Sequence, residues 1–394
     1  MKKLVFANLI LSLIVLCVAC SHPNEDNTIN YLSKQELRQN AVCLKRAQNM
    51  VNPGKIYIQE DMLLVNEMGK GIHLIYNQNP SKPQKLGFVQ IPGNIDMAMK
   101  GSILFADNYM DLLAINTTTG AVKRVKNAFK NFEKERRAQL AALNNGFESM
   151  GMRGTQFQAV SHGTATSGGN PVGVAGSMAR FAIVENTLYV LDGNNLIVYD
   201  ITDASNPQEV KEIPLDFSVE TIFPHEGQLF IGGTEGMYIY DKTDPHNPQF
   251  LSKFEHAVAC DPVVVDKNYA YITLRSGGPC DRAINQLEVV DVSDLSQPSL
   301  VQAFDMHHPH GLAVLDNNLY LCDGNQGLKV FNLTDKKNIL DHLSFKDRDV
   351  RKAYDVLPNP YNNTLIVVGA DGIYQYDTID PEQIERISLI EKDV

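Results

Sequence analysis

Leu196-Ile-Val-Tyr-Asp200-Ile-Thr-Asp203-Ala-Ser-Asn-Pro207 is an apolar strand run that ends in an aspartate and passes into a turn rich in Asp, Ser, Asn and Pro. A second apolar run begins at Val210. The pattern recurs. Met237-Tyr-Ile-Tyr-Asp241-Lys-Thr-Asp244-Pro-His-Asn-Pro248 repeats it closely, and Leu287 to Pro298 and Leu328 to Asp335 repeat it recognisably. Weaker copies end at Asn77, Asn116 and Asp377, which makes seven in all. The spacing is about 40 to 50 residues, apart from one gap of about twice that between Asn116 and Asp200, and a period of this size built from short strands means a β-propeller.

One unit shows the internal order. From Gly311 the chain reads Leu312-Ala-Val-Leu, a turn, Leu319-Tyr-Leu-Cys, a turn, Leu328-Lys-Val-Phe, a turn, and a final run from Ile339 to Phe345. Four strands make a blade. Nearly continuous apolar runs mean that both faces of each sheet are buried, as they are when blades pack face to face around an axis. The expected fold is therefore all-β, a seven-bladed propeller over residues 53–394, with an insertion at 126–178 between blades 2 and 3. The insertion begins with a helix-forming stretch, Ala128 to Leu143, and continues as a Gly- and Ser-rich loop, either a decorative excursion or a lid over the ring. Ser33 and Glu36 are spaced as a helix capping box, and the segment from Ala41 to Ala47 is placed to add an edge strand.

The N-terminus carries a separate message. Met1-Lys2-Lys3, an apolar stretch from Leu4 and small residues before Cys20 have the order of an export signal, and the apolar stretch is short for a membrane span. Val18-Ala19-Cys20 looks like a bacterial lipoprotein processing site, which makes 1–19 the signal peptide and Cys20 the lipidated first residue of a tether over 20–52. Cys17 stands where such sites usually have Leu. The expected location is the outer membrane, either at the cell surface or on the periplasmic leaflet, with the membrane reached through the N-terminal lipid. The net charge of −11 and the lack of a long basic run argue against nucleic acid as a partner.

Aligning the blades places one residue just before each innermost strand: Asp96, Ala179 or Arg180, Glu220, Asp261, His310 and Asp355, with only Gly54 offered by blade 1. Innermost strands line the channel of a propeller, so these residues converge on one mouth. Arg275 joins them from blade 5, and Arg348, Arg351 and Lys352 lie on the same side as counter-charges. Such a ring suits oxygen coordination of a weakly held Ca²⁺, or capping of strand ends and ion pairing within the protein. The His307-His308-Pro309-His310 cluster lacks the spacing of a transition-metal site, and no other cofactor is indicated. No nucleophile elbow, metalloprotease helix, phosphate loop or dinucleotide fingerprint occurs, so no catalytic residue is assigned.

Arg180-Phe-Ala-Ile-Val, Cys260-Asp-Pro-Val-Val-Val, Tyr271-Ile-Thr-Leu-Arg275, Asn285 to Asp291 and His308-Pro-His310-Gly-Leu-Ala together resemble the LVIVD-repeat lipoproteins. Blades 1, 2 and 7 depart from that pattern. The resemblance implies a surface or periplasmic propeller of the Bacteroides type, with no established activity. The favoured role is a non-enzymatic binding or scaffold module for a glycan, a peptide or an envelope protein at the mouth. The alternative is a hydrolase or lyase that uses the acidic ring with His310, with or without a metal.

With Cys17 lost with the signal and Cys20 lipidated, Cys43, Cys260, Cys280 and Cys322 remain of the six cysteines. Two strand reversals bring Cys260 and Cys280 to the mouth face, so they are expected to pair, while Cys322 falls within a second strand as a buried free thiol. Peptide mapping without reduction should find Cys260 joined to Cys280, their Cα atoms within about 7 Å. Alkylation of either one in the unreduced protein would refute the pairing.

Overall fold

The computed structural model describes Arg38 and residues 42–131, 174–177, 179–215, 218–255, 262–276, 284–380 and 383–393. The signal, Cys20, Cys260, Asp261, Cys280, most of the helix-forming stretch of the insertion and all but Arg38 of the Ser33 to Arg38 segment lie outside them.

Seven sheets surround one axis, six of four strands and one of six. Within each blade's four consecutive core strands, neighbours in sequence are antiparallel neighbours in the sheet. Blade 3, for example, runs Phe181–Val184, Thr187–Asp192, Asn195–Asp200, Gln208–Pro214 from axis to rim. The innermost strands follow one another around the channel, and that of blade 7, Asp355–Asn359, packs beside that of blade 1, Pro53–Gln59. Residues of alternating faces are buried alike, as in Leu188, Tyr189, Val190 and Leu191, because each face meets a neighbouring blade.

The repeat has a local cause. Asp200 Oδ1 accepts the N–H of Thr202, and Asp203 Oδ1 that of Ser205, so the motif is two successive Asx turns that reverse the chain between the third and fourth strands. The same pair of turns forms at Asp241 and Asp244 and at Asp291 and Asp294. Just beyond, the pairing of third and fourth strands slips by a residue in six of the blades, at Val198/Tyr199 and Ile239/Tyr240 among others. A bulge there twists the outer strand and blunts an exposed edge.

Blade 1 departs from the others at both edges. Cys43–Arg46 pairs with Gln84–Gln90 as a fifth, outermost strand, as the Ala41 to Ala47 segment led us to expect. On the channel side, Val174–Ala175 pairs with Tyr57 and Ile58 of the innermost strand. That second addition was not foreseen: 174–177 read as loop because its partner is more than a hundred residues away. The chain ends clasp, with Met50 and Asp393 joined by two hydrogen bonds, and Asn77 and Gln375 exchange side-chain amide bonds between blades 1 and 7. Cys322 is a buried free thiol and Cys43 is disulfide-bonded, while the expected Cys260–Cys280 pair lies outside the described residues.

Gly236 opens the third strand of blade 4 with φ +157°, and a Cβ there would stand 2.3 Å from the Phe254 carbonyl oxygen. Gly227 has nothing within 4 Å of that position. Gly236→Ala should cost about 2–3 kcal/mol in denaturant unfolding, because the backbone and the outer strand must both give way, whereas Gly227→Ala should change stability by less than about 1 kcal/mol. Equal effects would contradict the register described.

Candidate functional site

The mouth of the channel gathers one charged or ionisable side chain from every blade. Blade 1 supplies Lys55, which the sequence reading missed in favour of Gly54. Its Nζ lies 2.5 Å from Asp96 Oδ2 of blade 2, and both side chains are almost wholly buried. The same oxygen accepts the backbone N–H of Arg180 at 2.6 Å, and Oδ1 accepts that of Met97 at 2.7 Å. One carboxylate therefore ties three blades together. Arg180 donates from Nη2 to the Leu191 carbonyl, 2.8 Å away.

The circle continues through blades 4 to 7. Glu220 is half-buried; burial raises its pKa, opposed by the positive charges of Arg275 and Arg180. Arg275 Nη1 lies 3.4 Å from His310 Nδ1, and His310 Nε2 lies 2.8 Å from His308 Nδ1. His308 Nε2 is 3.0 Å from the Ser276 carbonyl, which can only accept. The polarity follows from that end: His308 carries its proton on Nε2, His310 on its own Nε2, and the Arg275 guanidinium donates to His310 Nδ1. Burial, with the charges of Arg275 and His308, holds His310 well below the usual histidine range. In blade 7, Asp355 is fully buried, and its Oδ1 caps Val356 N–H at 2.6 Å. Desolvation pushes its pKa well up, and Lys55 opposes the shift.

Asp96, Arg180, Glu220, His310 and Asp355 stand at or within two residues of the first residues of innermost strands and Arg275 just past a second strand, but not as a set of carboxylates open to a shared space. Each described carboxylate faces a cation or caps a strand, and Asp261 lies outside the described residues. Among the described residues no group of three His, Cys, Asp or Glu side chains converges as a metal site would require. Arg351, expected as a counter-charge for the ring, instead pairs with Asp371 at the surface. Arg348 and Lys352 are likewise exposed.

The chain itself crosses the channel at this level. Gly176 N–H donates to Ile56 O of blade 1, Ser177 Oγ accepts the Leu312 N–H of blade 6 at 3.1 Å, and Ala179 O accepts the Ile222 N–H of blade 4 at 3.0 Å. Ser177 and Ala179 are buried. The other described end of the insertion also docks at the mouth, where Lys130 and Asn131 N–H groups bind Asp192 Oδ2.

A model of the LVIVD repeat matches residues 175–213 and 259–306. The chain carries LVIVD repeats. No protein of curated function matches its sequence. Solved structures share the fold at low identity: a protein from Lactobacillus plantarum has TM-score 0.56 and 13% identity, over 87% of this chain and 96% of that one. The computationally designed protein Ika8 has TM-score 0.55 and 12% identity, over 88% and 91%. The WD40 domain of Neurospora crassa Pan2 has TM-score 0.55 and 8% identity, over 80% and 86%. The LVIVD-repeat chain is thus a β-propeller, and at such identities the likeness extends to the fold alone.

Two variants probe the buried charges of this LVIVD-repeat propeller. Lys55→Met leaves Asp96 buried without its cation and should cost about 3–5 kcal/mol in denaturant unfolding, while Arg351→Met, at an exposed pair, should leave the unfolding midpoint nearly unchanged. Asp107 Oδ1 accepts the N–H groups of Ile95 and Asp96 at 2.9 and 2.8 Å, and burial pushes its pKa from 3.8 to about 6. A folded pKa above the unfolded one contributes stability below pH 4 that is lost as pH rises through 6. Asp107→Asn keeps the acceptor and removes the titration, so its stability relative to wild type should rise by about 2 kcal/mol between pH 4 and pH 7. A gap that does not change with pH would contradict the placement.

Proposed function

We propose that the chain is a lipid-anchored scaffold of the cell envelope whose mouth face binds a protein partner, either as a folded surface or as an exposed peptide. The occupied channel is the observation that carries this reading. Residues 174–177 and 179–180 cross it, and the charged ring is engaged in contacts between blades, so a partner meets the outer surface of the mouth and not a hole. Arg348, Arg351, Lys352 and the turns between second and third strands make up that surface, polar and presented by a rigid frame.

A glycan ranks below a protein as ligand. The chain has no Trp for sugar stacking, and the large aromatics exposed among the described residues, Phe250 and Tyr361, follow or lie in turns at the opposite end of their blades. The hydrolase or lyase reading needs carboxylates open to one water-filled cleft. Buried and matched to Lys55, Asp96 does not favour it, and neither does Asp355. In this proposal Cys20 supplies the anchor, so Cys20→Ala should abolish labelling of the protein by a metabolically incorporated fatty-acid probe.

Photo-crosslinking in living cells tests the mouth. A crosslinker at Arg351 should capture one protein reproducibly, and one at Asp203, in a turn at the opposite end of blade 3, should not. Identical captures at both positions, or none at Arg351, would overturn the reading.

A further inference from the structure

The outermost strand of blade 2 has four residues, Val122–Val125, against seven in Gln84–Gln90 of blade 1. The outer part of the wedge between these blades is therefore short of side chains, and a cavity of about 220 Å³ remains beneath the added strand Cys43–Arg46. Its walls include Leu44, Met62, Leu74, Leu86, Met99 and Ile115, and among the described residues no charged or aromatic side chain lines it. The polar groups at its edge are engaged within the protein: Asn116 Oδ1 accepts Thr118 and Thr119 N–H groups, and Thr117 Oγ1 donates to Ser102 O.

We propose that this cavity is a binding site for a medium-chain fatty carboxylate, with the alkyl tail inside and the carboxylate at the exposed end of the added strand. A wall of aliphatic side chains with two flexible methionines fits a methylene chain and offers nothing to orient a polar or aromatic ligand. An apolar cavity of about 150 Å³ admits benzene, with its six carbons, so 220 Å³ has room for about nine. Arg46 supplies the complementary charge. It stands two residues beyond Leu44, hence on the same face of the strand, and is exposed to solvent. This proposal is independent of the mouth-face reading.

The test is calorimetric titration of the chain lacking residues 1–20, which retains every described residue, with sodium hexanoate, octanoate and decanoate. Binding should be one to one, with affinity rising roughly fourfold per added methylene up to decanoate, as the burial of each CH₂ requires. Val122→Trp, at a wall position 41% exposed, should obstruct the opening and lower decanoate affinity at least tenfold. Arg46→Glu should weaken decanoate and strengthen decylammonium. Absence of saturable decanoate binding, or affinity that ignores chain length, would overturn the proposal. So would a Val122→Trp variant that melts like wild type and binds decanoate as well. Should Val122→Trp fail to fold, the chain-length series and Arg46→Glu decide.

Discussion

The carboxylate of Asp96 serves three blades at once: Lys55 of blade 1 supplies its counter-charge, Met97 begins blade 2 on its Oδ1, and Arg180 begins blade 3 on its Oδ2. A buried carboxylate tolerates this position only with both its charge and its lone pairs satisfied. That requirement fixes where blade 3 starts, and with it the path of the segment that precedes Arg180. The chain must arrive through the channel, and it does so by pairing with blade 1 and crossing to blades 6 and 4. Ring closure and channel filling are thus linked through a single side chain.

The rest of the mouth obeys the same electrostatics. Cations and acids alternate around the axis from Lys55 and Asp96 through Arg180 and Glu220 to Arg275, and a neutral His310 separates Arg275 from Asp355. Burial raises the carboxyl pKa values of Glu220 and Asp355 and lowers that of His310, and the neighbouring arginines or Lys55 limit how far the carboxyls shift. Such an arrangement rigidifies a scaffold. It also directs attention away from the channel, towards the outer surface of the mouth for a macromolecular partner and towards the wedge between blades 1 and 2 for a small apolar one.

The blades were legible in the sequence because their cause is local: an apolar run, an Asp, and two Asx turns recur within each unit. The site was legible only in part. Asp96, Glu220, His310 and Asp355 could be placed by counting back from each second strand, since strand geometry is regular. Lys55 could not, because it is the third residue of its strand, where a lysine normally signals an exposed face, and only the partner carboxylate from another blade makes its burial tolerable. Residues 174–177 were opaque for a related reason: small residues such as Gly176 and Ser177 read as loop, and what orders them is backbone pairing to Tyr57 and Ile58, invisible to any local pattern.

Native-state hydrogen exchange at the amides of Arg180, Ile222 and Leu312 tests the filled, ion-paired channel most directly, because those N–H groups bind Asp96, Ala179 and Ser177 respectively. If the chain crosses the channel as described, all three exchange only through global unfolding, with the same free energy as the central strands of the blades. Exchange of Ile222 and Leu312 within about tenfold of the rate of an unprotected amide would mean that the segment does not occupy the channel, and the account of the mouth would fail.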